Sequence, residues 1–185
     1  MTGPAPLRLF VAVAPPAAAR ASLAEALAPL RGAPGAPRWG DPARWHLTLL
    51  FLGAVPPELL PGLTAAVGAA VAPTPPATLR LAGAGRFGPR RRPQVLWAGV
   101  DGDVGVLADL AARLAGAARG LGLPVEDRPF RPHLTLGRWD PRRPADADLP
   151  DRLAGHRGPS WPVREVSLVR SSAGRHDPLG TWPVG

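Results

Sequence analysis

Short runs of apolar residues alternate with polar residues and with Gly- and Pro-rich breaks along most of the chain. Runs typical of strands occupy residues 7–14, 44–52, 78–83, 94–100, 132–138 and 163–170. Apolar residues at helical spacing predict helices over residues 17–30, 58–71 and 104–121. The order of these elements predicts an α+β protein, with internal symmetry because each half contains a helix and a strand bearing the same tetrapeptide.

The length and composition narrow the class of protein. A chain of 185 residues suits one substantial domain, or two small lobes that share a core. The 26 Pro and 22 Gly residues favour many short elements joined by stiff turns over a long helical bundle. Cysteine is absent from the sequence, which excludes disulfides and thiolate metal sites. We expect a cytoplasmic protein, because the sequence has neither a signal-peptide pattern nor an apolar stretch of about 18 residues.

The net charge of +8 favours polyanionic partners but is weak support for them. All 22 basic residues are Arg, and Lys, Asn, Ile and Tyr do not occur. These missing residues have A/T-rich codons, so the pattern indicates a G+C-rich genome in which Arg replaces Lys. The charge therefore permits nucleic-acid binding without requiring it.

Two of the four histidines begin the same tetrapeptide, His-Leu-Thr-Leu, at His46 and His133. In a strand, residues two apart point to the same face. His46 therefore shares a face with Thr48, and His133 with Thr135, while the leucines point into the core. If the two halves are related by a pseudo-two-fold axis, the two His-Thr pairs face each other across a cleft.

Such a cleft suits the cleavage of a phosphodiester. Near neutral pH one imidazole can be neutral and take a proton from the attacking oxygen, while the other is protonated and gives one to the leaving oxygen. The threonine hydroxyls can donate hydrogen bonds to the phosphate oxygens. We predict that no metal or other cofactor is needed. A metal site and two structural strand histidines are the alternatives; the motifs contain neither Cys nor an acidic residue, and the repetition argues against coincidence.

The sequence resembles the bacterial and archaeal RNA 2′,3′-cyclic phosphodiesterases, historically called 2′-5′ RNA ligases, within the 2H phosphoesterase superfamily. The double motif is typical of the superfamily, and its flanking residues resemble this branch. The similar segments are residues 8–12, 45–53, 93–97, 130–138 and 168–172.

That resemblance implies a bilobal fold over residues 1–185, with two antiparallel sheets around a central cleft and helices on the outside. It implies hydrolysis of an RNA-terminal 2′,3′-cyclic phosphate to a 2′-phosphomonoester, with reversible 2′-5′ ligation as the reverse step. By analogy, His46 protonates the departing 3′-oxygen and His133 activates water. RNA ends or small cyclic nucleotides are the expected partners of a monomer. A non-catalytic protein that binds RNA ends is the alternative from another class.

Further residues are assigned with less support from the pattern. In the family, the residue matching Arg138 binds the phosphate; its odd offset from His133 requires a bulge or bend, which Gly137 permits. Phe10 is a candidate to stack on a base, and a core position is the alternative that the apolar run around it slightly favours. Arg170 is a candidate to approach the cleft from a neighbouring strand. An arginine-rich loop over residues 85–93 is a candidate groove for RNA phosphates, and no role is assigned to His156 or His176.

Overall fold

A computed structural model describes residues 5–185 of the chain. Its strands are β1 (Leu7–Val13), β2 (Arg38–Trp39), β3 (Leu47–Val55), β4 (Thr78–Phe87), β5 (Val95–Gly102), β6 (His133–Arg138), β7 (Trp161–Pro162), β8 (Glu165–Ser172) and β9 (Arg175–Pro183). Its α-helices are α1 (Ala17–Leu27), α2 (Leu60–Val71) and α3 (Val104–Gly120). These elements confirm the predicted α+β class.

The strands form two antiparallel halves that meet in the middle. One half has the order β3-β1-β8-β9, and the other has the order β6-β5-β4-β7, with β2 added on the outer part of β6. The halves are joined where β3 pairs with β6 through Leu47 and Leu134. The two predicted sheets are thus connected into one curled sheet, and the two motif strands lie at its centre.

One face of the curled sheet is covered by the helices, and the other is the cleft. In β1, Leu9, Val11 and Val13 belong to the hydrophobic core. Phe10 and Ala12 alternate with them and point to the opposite face. Helix α3 packs on α2 and on β3, while α1 packs on β4. The helices are therefore on the outside, as the resemblance implied.

Several predicted boundaries differ from the structure, three of them in strands β3 and β4. The first motif strand begins at Leu47 rather than at residue 44, because Asp41 accepts a bond from the Ala43 amide at 2.9 Å and caps a 3₁₀ turn there. It continues beyond Gly53, whose φ of 66° accommodates a bulge. Strand β4 extends to Phe87, which places part of the predicted arginine-rich loop in the sheet.

Strand β9 is absent from the sequence prediction. It forms a hairpin with β8 across a two-residue turn at Ala173 and Gly174, whose φ values are 43° and 78°. It is an edge strand and contains Pro178 and Pro183, which such a position tolerates. Its pairing with β8, rather than an apolar pattern of its own, makes it a strand.

Candidate active site

The two motifs meet at the single register pair that joins the halves of the sheet. Leu47 and Leu134 are fully buried partners in an antiparallel pair. In this arrangement the residue before one leucine lies beside the residue after the other, so His46 lies beside Thr135. By the same geometry, the threonine of the first motif lies beside the histidine of the second. Each half-site thus combines a histidine from one motif with a threonine from the other.

Both imidazoles are held in the same way by the main chain. The Nδ1 atom of His46 lies 2.8 Å from the carbonyl oxygen of Arg44, and the Nδ1 atom of His133 lies 2.7 Å from that of Arg131. A carbonyl oxygen can only accept, so each Nδ1 carries the hydrogen and donates it. In the neutral ring, Nε2 then presents its lone pair to the cleft. The acceptor is in both cases the main-chain carbonyl two residues before the histidine, so the symmetry comes from the backbone and not from the side chain at that position.

The ring of His46 lies in an aromatic cluster. Phe10 stacks on it with a centroid distance of 4.7 Å and an interplanar angle of 27°. His176 approaches it edge-on at 5.1 Å and contacts Phe10 at the same centroid distance. Because His176 comes from β9, the hairpin at the edge of the sheet contributes to the site. No feature of the sequence pattern indicated this role.

The ring of His133 has a different set of neighbours. Phe87 contacts it edge-on at 4.8 Å, and Trp97 lies at 6.3 Å. The Arg131 guanidinium carbon lies 5.9 Å from the centre of the Phe87 ring, within cation–π range. Each histidine is therefore oriented by one backbone bond and at least one aromatic ring.

The pKa of both catalytic candidates is lowered from the ordinary value of about 6.5, and burial is the largest cause for His46 and for His133. The backbone hydrogen bonds raise the pKa in part. The positive charges of His176 and His133 lower it further for His46, and those of Arg131 and Arg138 do so for His133. Both rings are thus predominantly neutral near pH 7 in the free protein.

A β-bulge in β6 directs Arg138 into the cleft. Thr135 and Gly137 pair with successive residues of β5, so Leu136 is an extra residue between them. Leu136 and Gly137 both lie opposite Leu96 of β5. Both are buried on the core face of the sheet. The next residue, Arg138, returns to the face that carries Thr135. The bulge therefore explains how Arg138 can share a face with His133 although the two residues are an odd number of positions apart.

A similar β-bulge in β3 places an aromatic ring on the cleft face. Thr48 and Leu50 pair with successive residues of β1, so Leu49 is extra, and both leucines are buried. Phe51 then returns to the cleft face, five residues after His46. It is 66% exposed, which is unusual for a large apolar side chain. The position equivalent to the arginine of the other half is therefore occupied by an exposed phenylalanine.

Comparison with known proteins agrees with this geometry. The family model of the 2′-5′ RNA ligase superfamily matches residues 11–175. The chain belongs to the 2′-5′ RNA ligase superfamily. The resemblance inferred from the two motifs and their flanking residues is thereby confirmed.

Individual members of the 2′-5′ RNA ligase superfamily are similar over much of the chain. A Thermus thermophilus protein named RNA 2′,3′-cyclic phosphodiesterase is 36% identical over 95% of this chain and 87% of its own length. A Geobacillus stearothermophilus protein of the same name is 33% identical over 79% of this chain, which covers 47% of that protein. The crystal structure of E. coli LigT complexed with 3′-AMP has a TM-score of 0.78 at 32% identity, covering 97% of this chain and 98% of that one.

Within this family fold, the remaining predicted residues fall in different places. Thr48 and Thr135 are half-buried, each two residues after the histidine of its motif. Phe10 is on the cleft face but only 5% exposed, because the rings around it cover it. Its placement favours support of His46 over direct contact with a base.

The prediction for Arg170 is not supported by its register. Arg170 pairs with Leu9, a core residue, so its side chain points to the face opposite the cleft. Its guanidinium is bound to Asp177 at 3.2 Å. The neighbouring residue Val169 pairs with Phe10 and faces the cleft, so Arg170 faces away from it. The sequence does not show which of the two residues faces the cleft, because that depends on the strand pairing.

The predicted arginine-rich loop is partly neutralised. Arg86 lies on β4 and donates to the carbonyl of Ala147 at 3.3 Å. Arg90 forms an ion pair with Asp148. Arg91 and Arg92 are exposed. The loop therefore presents fewer free charges than its sequence suggests.

No three His, Asp or Glu side chains in residues 5–185 form a group that could hold a metal ion. No helix in the same range is long and apolar enough to cross a membrane.

Proposed function

We propose that the protein hydrolyses the 2′,3′-cyclic phosphate at an RNA end to a 2′-phosphomonoester, with His46 and His133 as the acid and base. The observation that carries the proposal is the crossed arrangement of the motifs, with both Nε2 atoms on one face beside the two threonine hydroxyls. The names of the Thermus and Geobacillus relatives support the substrate class. The complex of LigT with 3′-AMP supports a nucleotide in this cleft.

The proposed reaction is a single in-line displacement. Neutral His133 takes a proton from water at Nε2 as the water oxygen attacks phosphorus. The bond from phosphorus to the 3′-oxygen breaks, and protonated His46 gives its Nε2 proton to that oxygen. The phosphate remains on the 2′-oxygen. The assignment of acid to His46 and base to His133 follows the family, since both rings have the same backbone bond and a lowered pKa.

The surroundings favour this division of protons once substrate is bound. Both pKa values are lowered in the free protein, which keeps the base neutral. The negative charge of a bound phosphodiester raises the proton affinity of the neighbouring ring, so one imidazole can be protonated beside it. Thr48, Thr135 and Arg138 can donate to the non-bridging oxygens, on which negative charge is held.

Phe51 completes the proposed substrate site. Its exposed ring on the cleft face can stack with the nucleobase, while Arg138 takes the equivalent position in the other half. The pseudo-symmetric cleft thus has one aromatic end and one cationic end. This difference suits a nucleotide with its base toward the first half and its phosphate between the histidines.

The proposal is tested with a nucleoside 2′,3′-cyclic phosphate in the presence of EDTA. We expect turnover to the 2′-monophosphate, identified against the 3′-isomer by chromatography and ³¹P NMR. Binding without any product would favour the non-catalytic alternative. Product that disappears with EDTA would instead show that the reaction needs a metal.

Ligation is a secondary reaction of the same proposed site, consistent with the family's description. It is the reverse step, in which an RNA 5′-hydroxyl and a cyclic phosphate end form a 2′-5′ bond. Water at about 55 M competes with the hydroxyl unless both RNA ends are held together. We therefore expect hydrolysis to dominate with mononucleotide substrates.

A further inference from the structure

We infer that a groove beyond Arg138 binds the sugar-phosphate chain of single-stranded RNA that precedes the cyclic end. This inference rests on the proposed function and extends it from the terminal nucleotide to a polymer. The groove has a volume of about 990 Å³ and runs between the segments 31–38 and 138–144. That volume is at the upper end of the range for small-molecule sites, so it exceeds the needs of one nucleotide.

The lining of the groove is strongly positive. Arg31, Arg38, Arg138 and Arg143 all contribute to it, and Asp140 is the acidic residue among them. In residues 5–185 none of these four arginines forms an ion pair or a side-chain hydrogen bond within the chain.

Asp140 offsets at most one of these four positive charges. One of its carboxylate oxygens already accepts a bond from the Arg142 amide at 2.9 Å. Elsewhere, many arginines have acidic or carbonyl partners, as Arg90, Arg152 and Arg157 do. Arg31 lies over the Trp39 ring at 5.9 Å, a contact that leaves its N–H groups free to donate. A row of exposed guanidiniums without acidic partners is an arrangement that binds successive phosphates.

The groove is continuous with the candidate active site. Arg38 pairs directly with Arg138 where β2 adds to β6. Arg138 is in turn close enough to His133 to lower its pKa. The arginines of the groove therefore begin at Arg138, the residue whose charge acts on His133.

The walls of the groove are fixed before any ligand binds. The carbonyl of Gly35 accepts bonds from the Trp139 indole at 2.8 Å and the Asp146 amide at 2.9 Å. The Gly40 amide donates to the carbonyl of Leu136 at 2.8 Å. Fixed walls lower the entropy cost of binding, because few groups must be ordered by the ligand.

The test compares two substrates: a nucleoside 2′,3′-cyclic phosphate and a short oligoribonucleotide ending in the same group. The variant is Arg38→Ala with Arg143→Ala, which leaves Arg138 intact. We expect its kcat/KM to fall by about 2- to 30-fold for the oligonucleotide, because each exposed phosphate contact is worth little on its own. The value for the mononucleotide is expected to stay unchanged.

Salt dependence provides a second readout. Binding to single strands falls with salt at a logarithmic slope of about −0.7 per phosphate contact. Contacts from Arg31, Arg38 and Arg143 should add a factor of about 18 to the fall in oligonucleotide kcat/KM between 50 and 200 mM salt, beyond the fall seen with the mononucleotide; for the double variant the added factor should be about 3. Arg38→Lys with Arg143→Lys retains both charges and should restore most of the slope.

Arg91→Ala with Arg92→Ala is the matched control, since it removes the same charge from the arginine-rich loop. The proposed RNA binding in the groove is overturned if this control loses as much kcat/KM as the Arg38 and Arg143 variant. It is also overturned if that variant loses equally on both substrates. If the wild type turns over neither substrate, the proposed function fails. The groove is then judged by binding of a fluorescent oligonucleotide, which the Arg38 and Arg143 variant must weaken and the control must not.

Discussion

Removing either motif histidine is expected to abolish most of the activity, and the structure predicts that the two losses differ. Acid and base catalysis each contribute about 10²- to 10⁴-fold, which is about 2.7–5.4 kcal/mol of transition-state stabilisation. The groups whose charges act on His133 are arginines, which cannot take over as a base. The His133→Ala variant should therefore lose about 10³- to 10⁴-fold in kcat.

His46 has a neighbour that can partly replace it. The His176 ring lies 5.1 Å from that of His46, centre to centre, and can supply a proton once the first imidazole is gone. We expect His46→Ala to lose about 10²- to 10³-fold in kcat. The His46→Ala/His176→Ala double variant should lose as much as His133→Ala.

The assay is the initial rate of hydrolysis of a nucleoside 2′,3′-cyclic phosphate under saturating conditions. His156→Ala is the matched control, because that half-buried histidine follows the 3₁₀ turn at Leu149–Leu153, away from the cleft. Thermal unfolding of each variant separates lost chemistry from lost folding. The paired mechanism is refuted if His46→Ala or His133→Ala retains near-full activity while the protein remains folded.

Three further outcomes are expected from the structure. Because burial and positive neighbours lower the pKa of both motif histidines, acid and base of the free protein titrate below about 6.5. The bell-shaped profile of kcat/KM should then have its maximum below pH 6.5 and decline as the pH rises; a maximum at pH 7.5 or above would contradict this. Phe51→Ala should raise KM about 5- to 150-fold for a nucleoside cyclic phosphate through lost stacking, with little change in unfolding free energy because the ring is exposed. Unchanged KM would remove Phe51 from the substrate site. Leu134→Ala should lower the free energy of unfolding by about 2–5 kcal/mol, measured by urea denaturation, because its fully buried side chain joins the two halves of the sheet; Leu179→Ala, at an exposed position of β9, is the comparison expected to change it by less than about 0.5 kcal/mol.

The features that depend on residues close together in the chain could be predicted from the sequence. Alternation in a strand requires that His46 and Thr48 share a face, and the repetition at residue 133 requires a second such pair. The helices and most strands followed from apolar spacing, because these elements bury one face against a common core. Those properties depend on residues a few positions apart.

Strand pairing, in contrast, was decided only by the tertiary structure. The meeting of Leu47 with Leu134 places each histidine beside the other motif's threonine, a contact between residues far apart in the chain. His176 reaches His46 because β9 pairs with β8, which pairs with β1. No local pattern carries that information, since packing of distant segments selects the pairing.

The bulges explain why side-chain direction could be only partly predicted. An extra residue reverses the alternation, so Arg138 and Phe51 return to the cleft while the preceding apolar residues remain buried. The leucines at these bulges could be buried with or without an extra residue, so the sequence does not show where the extra residue lies. Only Gly137 indicated that a bulge was possible in β6. The sequence by itself thus determined the two His-Thr pairs and the class of fold. The tertiary structure decided how the pairs cross, which side chains complete the cleft, and where a groove of arginines continues from it.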